Sequence, residues 1–125
     1  MMGYRTQPEP FASMVDIITA AQYIEAAIHA SSGEEASKDL QLASDQMLHA
    51  KAYFDTASSI NNLYKIVYSR LSAQAGSLSQ ELITMSNNVK NMEGTQLANY
   101  QAGTIYPFQG KVRLLYFRVQ KLMAI

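Results

Sequence analysis

The chain has 125 residues, 48% of them hydrophobic and 16% charged, with ten bases against ten acids and neither cysteine nor tryptophan. That is apolar enough for one buried core in one domain and too apolar for a disordered chain, while the absence of thiols excludes disulfides, thiolate zinc sites, iron–sulfur clusters and a cysteine nucleophile. A net charge of zero removes any global electrostatic footprint for nucleic acid, yet the balance is uneven: residues 1–56 hold eight acids and three bases, residues 57–125 seven bases and two acids.

The opening "MMGYRTQPEP" has no charged region followed by an apolar run, and no later window approaches eighteen consecutive apolar residues. Neither a secretory signal nor a membrane span is expected, no membrane partner is expected, and the expected setting is cytoplasmic or virion-associated. Pro8 and Pro10 push their preceding residues out of the helical region. Residues 1–10 are therefore expected as an extended arm, with a single domain over 11–125.

A first helix is expected over 11–31, because Met14, Ile17, Ala21, Ile24 and Ile28 recur at spacings of 3, 4, 3 and 4. Gly33 can interrupt it, and Ser32 with Glu35 forms a capping box for the next helix. The second stripe is the clearest: Ala36, Leu40, Ala43, Met47, Ala50, Phe54 and Ala57, spaced 4, 3, 4, 3, 4, 3. After "SSINN" the register is ambiguous. Asn61, Tyr64, Tyr68 and Leu71 continue the old phase, and Ile60, Leu63, Val67 and Leu71 define a shifted one. With neither glycine nor proline to end it, one long helix over about 34–74 is expected, about 60 Å at 1.5 Å per residue.

Gly76, with Ser77 as N-cap and Gln80 three residues on, marks the next boundary. A third helix follows on Leu78, Leu82, Met85, Val89 and Met92; Gly94 weakens it and "AGTIYPFQG" is expected to stop it near residue 102. In the C-terminal "KVRLLYFRVQKLMAI", Val112, Leu115, Val119 and Leu122 suit a helix, while its β-branched and aromatic content also fits a strand. Short connections and one apolar stripe per segment predict an all-α fold, an antiparallel bundle of about four helices with a short irregular C-terminal segment as a variant.

Two acid-x-x-x-His pairs, Glu25/His29 and Asp45/His49, raise the question of a metal site, since such spacing places both side chains on one helical face. Both point away from the stripes that form the core. A hairpin turning at Gly33 also separates the two rings axially by roughly 18 Å, which ligands about 2 Å from one ion do not span. They read as surface pairs, with a single Asp16/His49 contact allowed by the register, and neither metal nor cofactor is expected.

The basic C-terminal segment interleaves Lys111, Arg113, Arg118 and Lys121 with Tyr106, Phe108, Tyr116 and Phe117, and residues 94–125 contain no acid. Four cations are few for gripping a nucleic-acid strand or lying on an anionic membrane, so packing or assembly is the expected role. Tyr64 and Tyr68, beyond the reach of the first helix, are interface candidates. The partner-binding residues expected are thus Tyr64, Tyr68, Lys111, Arg113, Tyr116, Arg118 and Lys121. No Gly-x-Ser-x-Gly elbow and no phosphate-cradling glycine loop is present, so no catalytic residue is assigned.

These features predict a non-enzymatic structural or protein-interaction subunit that self-associates or binds a helical protein partner through helix seams, as a scaffold, a virion or assembly component, or a helical chaperone does. Two alternatives are a nucleic-acid-associated accessory protein using the basic C-terminal segment, and a metal- or ligand-binding bundle enzyme.

Overall fold

The computed structural model describes residues 8–123, and every regular element in that span is helical. α1 (Pro8–Ile28), α2 (Gly33–Ile60) and α3 (Lys65–Val89) alternate in direction; α4 (Gly94–Tyr100), a π-helical segment (Gln101–Ile105) and α5 (Tyr106–Met123) together make the last span. The chain is an all-α antiparallel bundle. α2 lies between α1 and α3, and α5 closes the bundle mainly against α1.

The expected stripes form the core. In α2 all seven stripe residues, from Ala36 to Ala57, are buried. In α1 the buried set is Ser13, Ile17, Ala20, Ile24 and Ala27, with Met14, Ala21 and Ile28 half-buried, so the core face is turned slightly from the expected one. Pro8 and Pro10 lie in the first turn of α1, where amide hydrogens have no helical partner to lose. The helix therefore starts three residues before Phe11, and residues 1–7 of the expected arm lie outside the described residues. By length and composition Pro10–Ile28 could cross a membrane, with a mean hydropathy of 1.3; here its inner face is packed in the bundle.

The turn after α1 follows the expected chemistry. Ser32 is the N-cap of α2 and its Oγ accepts from the Glu35 amide at 3.1 Å, while Glu35 Oε1 accepts from the Ser31 amide at 2.9 Å. Gly33 is buried because this turn docks on the end of α3: its amide donates to Met92 O at 3.1 Å.

The single helix expected over 34–74 is two helices. Asn61 leaves helical geometry at φ −119°, ψ 100°; its amide closes α2 on Ala57 O at 3.0 Å, and its Oδ1 accepts from the Tyr64 amide at 3.1 Å. An asparagine side chain that bonds the backbone a few residues on offers the chain a turn in place of a helix. Conversely, Gly76 and Ser77 do not form a boundary, and α3 runs straight through them. A Cβ at Gly76 would stand 3.1 Å from Lys51 Cε. The glycine lets the lysine stem of α2 lie close to α3.

α2 and α3 meet along a seam of small polar residues. Ser37 and Ser86 share a hydrogen bond of 2.7 Å, and Ser44 and Ser79 share one of 2.6 Å. Near the turn, Ser58 and Ser69 share one of 2.8 Å. Small side chains every seven residues let two backbones approach, and each buried hydroxyl finds its partner across the gap.

Gly94 adopts φ +59°, a left-handed conformation that favours glycine, and turns the chain from α3 into α4. The expected stop near residue 102 is absent. The helix continues through a π turn, in which the Tyr106 amide donates to Gln101 O, five residues back. That slip precedes Pro107, whose ring and missing amide would otherwise break the regular ladder. It also buries Gln101, whose Nε2 donates at 2.9 Å each to Ala27 O, which also accepts from the Ala30 amide, and to Ala30 O just beyond α1. Residues 111–123 are helix rather than strand, with Val112, Leu115 and Val119 buried as expected; residues 124 and 125 lie outside the described residues.

Candidate functional site

The two acid-histidine pairs are surface features. His29 Nε2 and Glu25 Oε2 are 2.9 Å apart, and His29, Asp45 and His49 are all exposed. No three histidine or carboxylate side chains gather as a metal-ion set among the described residues. The register does place Asp16 against His49. Burial holds the Asp16 carboxyl above its ordinary range, His49 partly offsets this, and Oδ2 is buried without a hydrogen-bond partner. Asp39 is likewise raised, by burial and then by Glu35. Asp55 goes the other way: the Ser72 hydroxyl donates to Oδ1 and Lys51 lies 2.9 Å from Oδ2, which together hold it below the usual carboxylate range.

The expected partner-binding residues do not form one surface. Tyr68 is only 3% exposed and belongs to the core, where it begins the buried stripe of α3 that continues through Leu71, Ala75 and Leu78; Tyr64 is half-buried in the turn. Lys111 pairs with Glu81 at 2.7 Å and Arg118 donates to Gln74 at 2.7 Å, so these two bases reach from α5 across to α3. Arg113 and Tyr116 face α1 instead. Lys121 is exposed in the last turn of α5. Lys111 and Arg118, seven residues apart, thus face α3 while Arg113 faces α1, so the four bases do not make one stripe.

The best-formed concavity is a groove of about 380 Å³ between α1 and α5, lined by Ile17, Ile18, Ala21, Val112, Tyr116 and Phe117, with Glu25 and Arg113 also on its walls. Gln109 spans it, donating to Ala21 O at 3.2 Å. Tyr116 and Phe117 meet edge to face at 5.9 Å, a favourable aromatic geometry. Outside the groove the apolar surface continues along α1: Phe11 is 61% exposed, and Val15 and Ile18 follow at spacings of four and three. This outer stripe was legible in the sequence but is overshadowed there by the stronger inward one. A second concavity, of about 440 Å³, lies between α3 and the last span beneath the Lys111/Glu81 pair.

Neither groove holds a nucleophile with a base beside it. The α1/α5 groove offers apolar surface with a few polar groups at the edge, the chemistry of a docking surface, whereas Glu81, Thr84, Asn88, Thr104 and Lys111 make the second concavity more polar. No family model, no curated protein and no solved structure matches this chain.

Proposed function

We propose that the chain is a non-catalytic interaction subunit that self-associates through the α1/α5 face. The observation that carries this reading is the outer stripe Phe11, Val15 and Ile18 running beside the open groove that ends at Phe117. An amphipathic helix laid in such a groove buries both sets of side chains, each worth about 1.5–3 kcal/mol when fully covered. A second copy offers such a helix in its own α1, and a twofold arrangement lets each α1 stripe cover the other copy's groove.

Charge supports the same reading. Of the three ion pairs among the described residues, Glu25/His29 and Lys51/Asp55 lie within the acidic half and Lys111/Glu81 within the basic half. None of them neutralises one half with the other, which leaves both signs available to a neighbouring copy.

The test is light scattering over a concentration series for the wild type and for Ile18→Glu with Phe117→Glu. The wild type is expected to associate and the double variant to stay monomeric. Because both side chains are exposed, the variant should keep its helicity and lose no more than about 1 kcal/mol of stability. A wild type that is monomeric at every concentration overturns the reading.

A further inference from the structure

The antiparallel order gathers the start of α1, the α2–α3 turn and the end of α5 at one end of the bundle. That end exposes the most apolar tip on the molecule: Ile60 is 70% exposed, Leu63 81% and Ile66 68%, with Val67 beside them. The tip is built, not loose. Asn61 closes both strands of the turn, and Ser58, bonded to Ser69, also donates to Lys65 O at 3.4 Å. Four aliphatic side chains are therefore held outward by a turn pinned on both sides by hydrogen bonds.

Charge beside them is chiefly basic, since Asp55, five residues before Ile60, is paired with Lys51. Residues 56–80 contain Lys65 and Arg70 and no acid, and both bases are exposed. The Lys111/Glu81 and Arg118/Gln74 contacts set an antiparallel register that brings Lys121 level with Leu71, adding a further base near Arg70. The opposite end is different. There Glu25, Glu34, Glu35 and Glu93 are exposed, and none of the large exposed apolar side chains falls in residues 19–41 or 84–105.

We infer that the α2–α3 tip docks on an anionic lipid bilayer, with Ile60, Leu63, Ile66 and Val67 entering the interface and Lys65 and Arg70 meeting lipid phosphates. The alternatives built from a second copy match only half of the surface. Head-to-tail stacking brings the basic tip to the acidic end, but sets the four aliphatic residues against an end whose exposed apolar side chain is one tyrosine, Tyr106, beside Ile28 and His29. Tip-to-tip pairing buries the aliphatics and opposes like charges. An anionic bilayer supplies both requirements in the right order along its normal, negative headgroups outside and hydrocarbon within. This reverses the expectation of no membrane partner: the contact is peripheral and needs no span, and because a few bases alone are weak on an anionic surface, insertion of the four aliphatic side chains carries it, with Lys65 and Arg70 adding to it.

The experiment is co-sedimentation of the full chain with phosphatidylcholine vesicles, with and without phosphatidylglycerol. The wild type should sediment with the mixed vesicles and not with phosphatidylcholine alone. Leu63→Asp with Ile66→Asp should lose at least tenfold in binding. Lys65→Gln with Arg70→Gln should lose roughly thirtyfold, about fivefold for each base removed from near the anionic surface. As the chain has no tryptophan, Leu63→Trp gives a single reporter whose emission should shift to the blue on the mixed vesicles only. All these positions are exposed, and an unchanged helical spectrum checks folding. No sedimentation with anionic vesicles, or equal binding by the aspartate variant, overturns the proposal. Self-association that the aspartate variant abolishes, without vesicle binding by the wild type, assigns the tip to a protein partner and overturns it as well.

Discussion

Two glycines carry opposite lessons. Gly94 is needed for its backbone, at φ +59° with open space where a Cβ would be, whereas Gly33 is needed for its lack of bulk. A Cβ on Gly33 would stand 2.5 Å from Met92 O and 2.9 Å from Met92 N, and backbone does not yield as a flexible side chain does. Gly33→Ala is therefore expected to cost about 2 kcal/mol or more, read as a lower urea midpoint. A midpoint equal to the wild type's would mean that the two turns do not dock. Asp55 gives a pH signature. Its folded carboxyl sits below its ordinary range because Ser72 and Lys51 favour the charged form. The resulting stability is present above the unfolded value, near 3.9, and is lost as pH falls through the lower folded one. The advantage of the wild type over Ser72→Ala should accordingly be full at neutral pH and shrink below about pH 4; a gap that stays constant through the acid limb would remove Asp55 from the explanation.

Among elements, the α2–α3 hairpin shows how polar residues can sit in a seam. The buried hydroxyls of Ser44 and Ser79 share a bond of 2.6 Å, so removing one leaves its partner only the facing carbonyl, at 3.5 Å for Ser79 and 3.2 Å for Ser44. Ser44→Ala alone is expected to cost about 1–2 kcal/mol, and Ser44→Ala with Ser79→Ala less than the sum of the two single changes. Strict additivity in that cycle would show that the hydroxyls act independently. The last span teaches a related point. Its π turn looks like a defect in the ladder, yet it accommodates Pro107 and aims Gln101 at the Ala27 and Ala30 carbonyls, at and just past the end of α1. A proline-containing stretch that reads as a helix stop is here a helix with one register slip.

For the molecule as a whole, the asymmetry of charge along the chain becomes an asymmetry of surfaces. Exposed glutamates crowd one end, while bases and bare aliphatics mark the other. The α1/α5 groove lies along the side, from Ile17 to Glu25 on α1 and from Gln109 to Phe117 on α5. Association through that side should be supported chiefly by apolar burial, with charge setting the rate and orientation. Light scattering across a salt series is expected to show association that weakens with salt but persists, since screening removes only the exposed charge contribution. Complete dissociation at high salt would place the contact at the charged ends and not in the groove.

The sequence by itself determined that the chain is helical and which faces are buried. Spacings of three and four put all seven stripe residues of α2 in the core, and Ser32 with Glu35 marked the start of that helix, because both signals depend only on residues within a turn or two of one another. Only the tertiary structure decided where the helices end. Gly76 costs a helix about 1 kcal/mol, but α3 runs through it with Ala75 and Leu78 buried on either side, while Asn61 closes α2 by bonding its own turn. It also decided which exposed side chains share a surface. Phe11 and Phe117, or Leu63 and Lys121, are far apart in the chain, and only the antiparallel packing of the helices brings them to one face or one end.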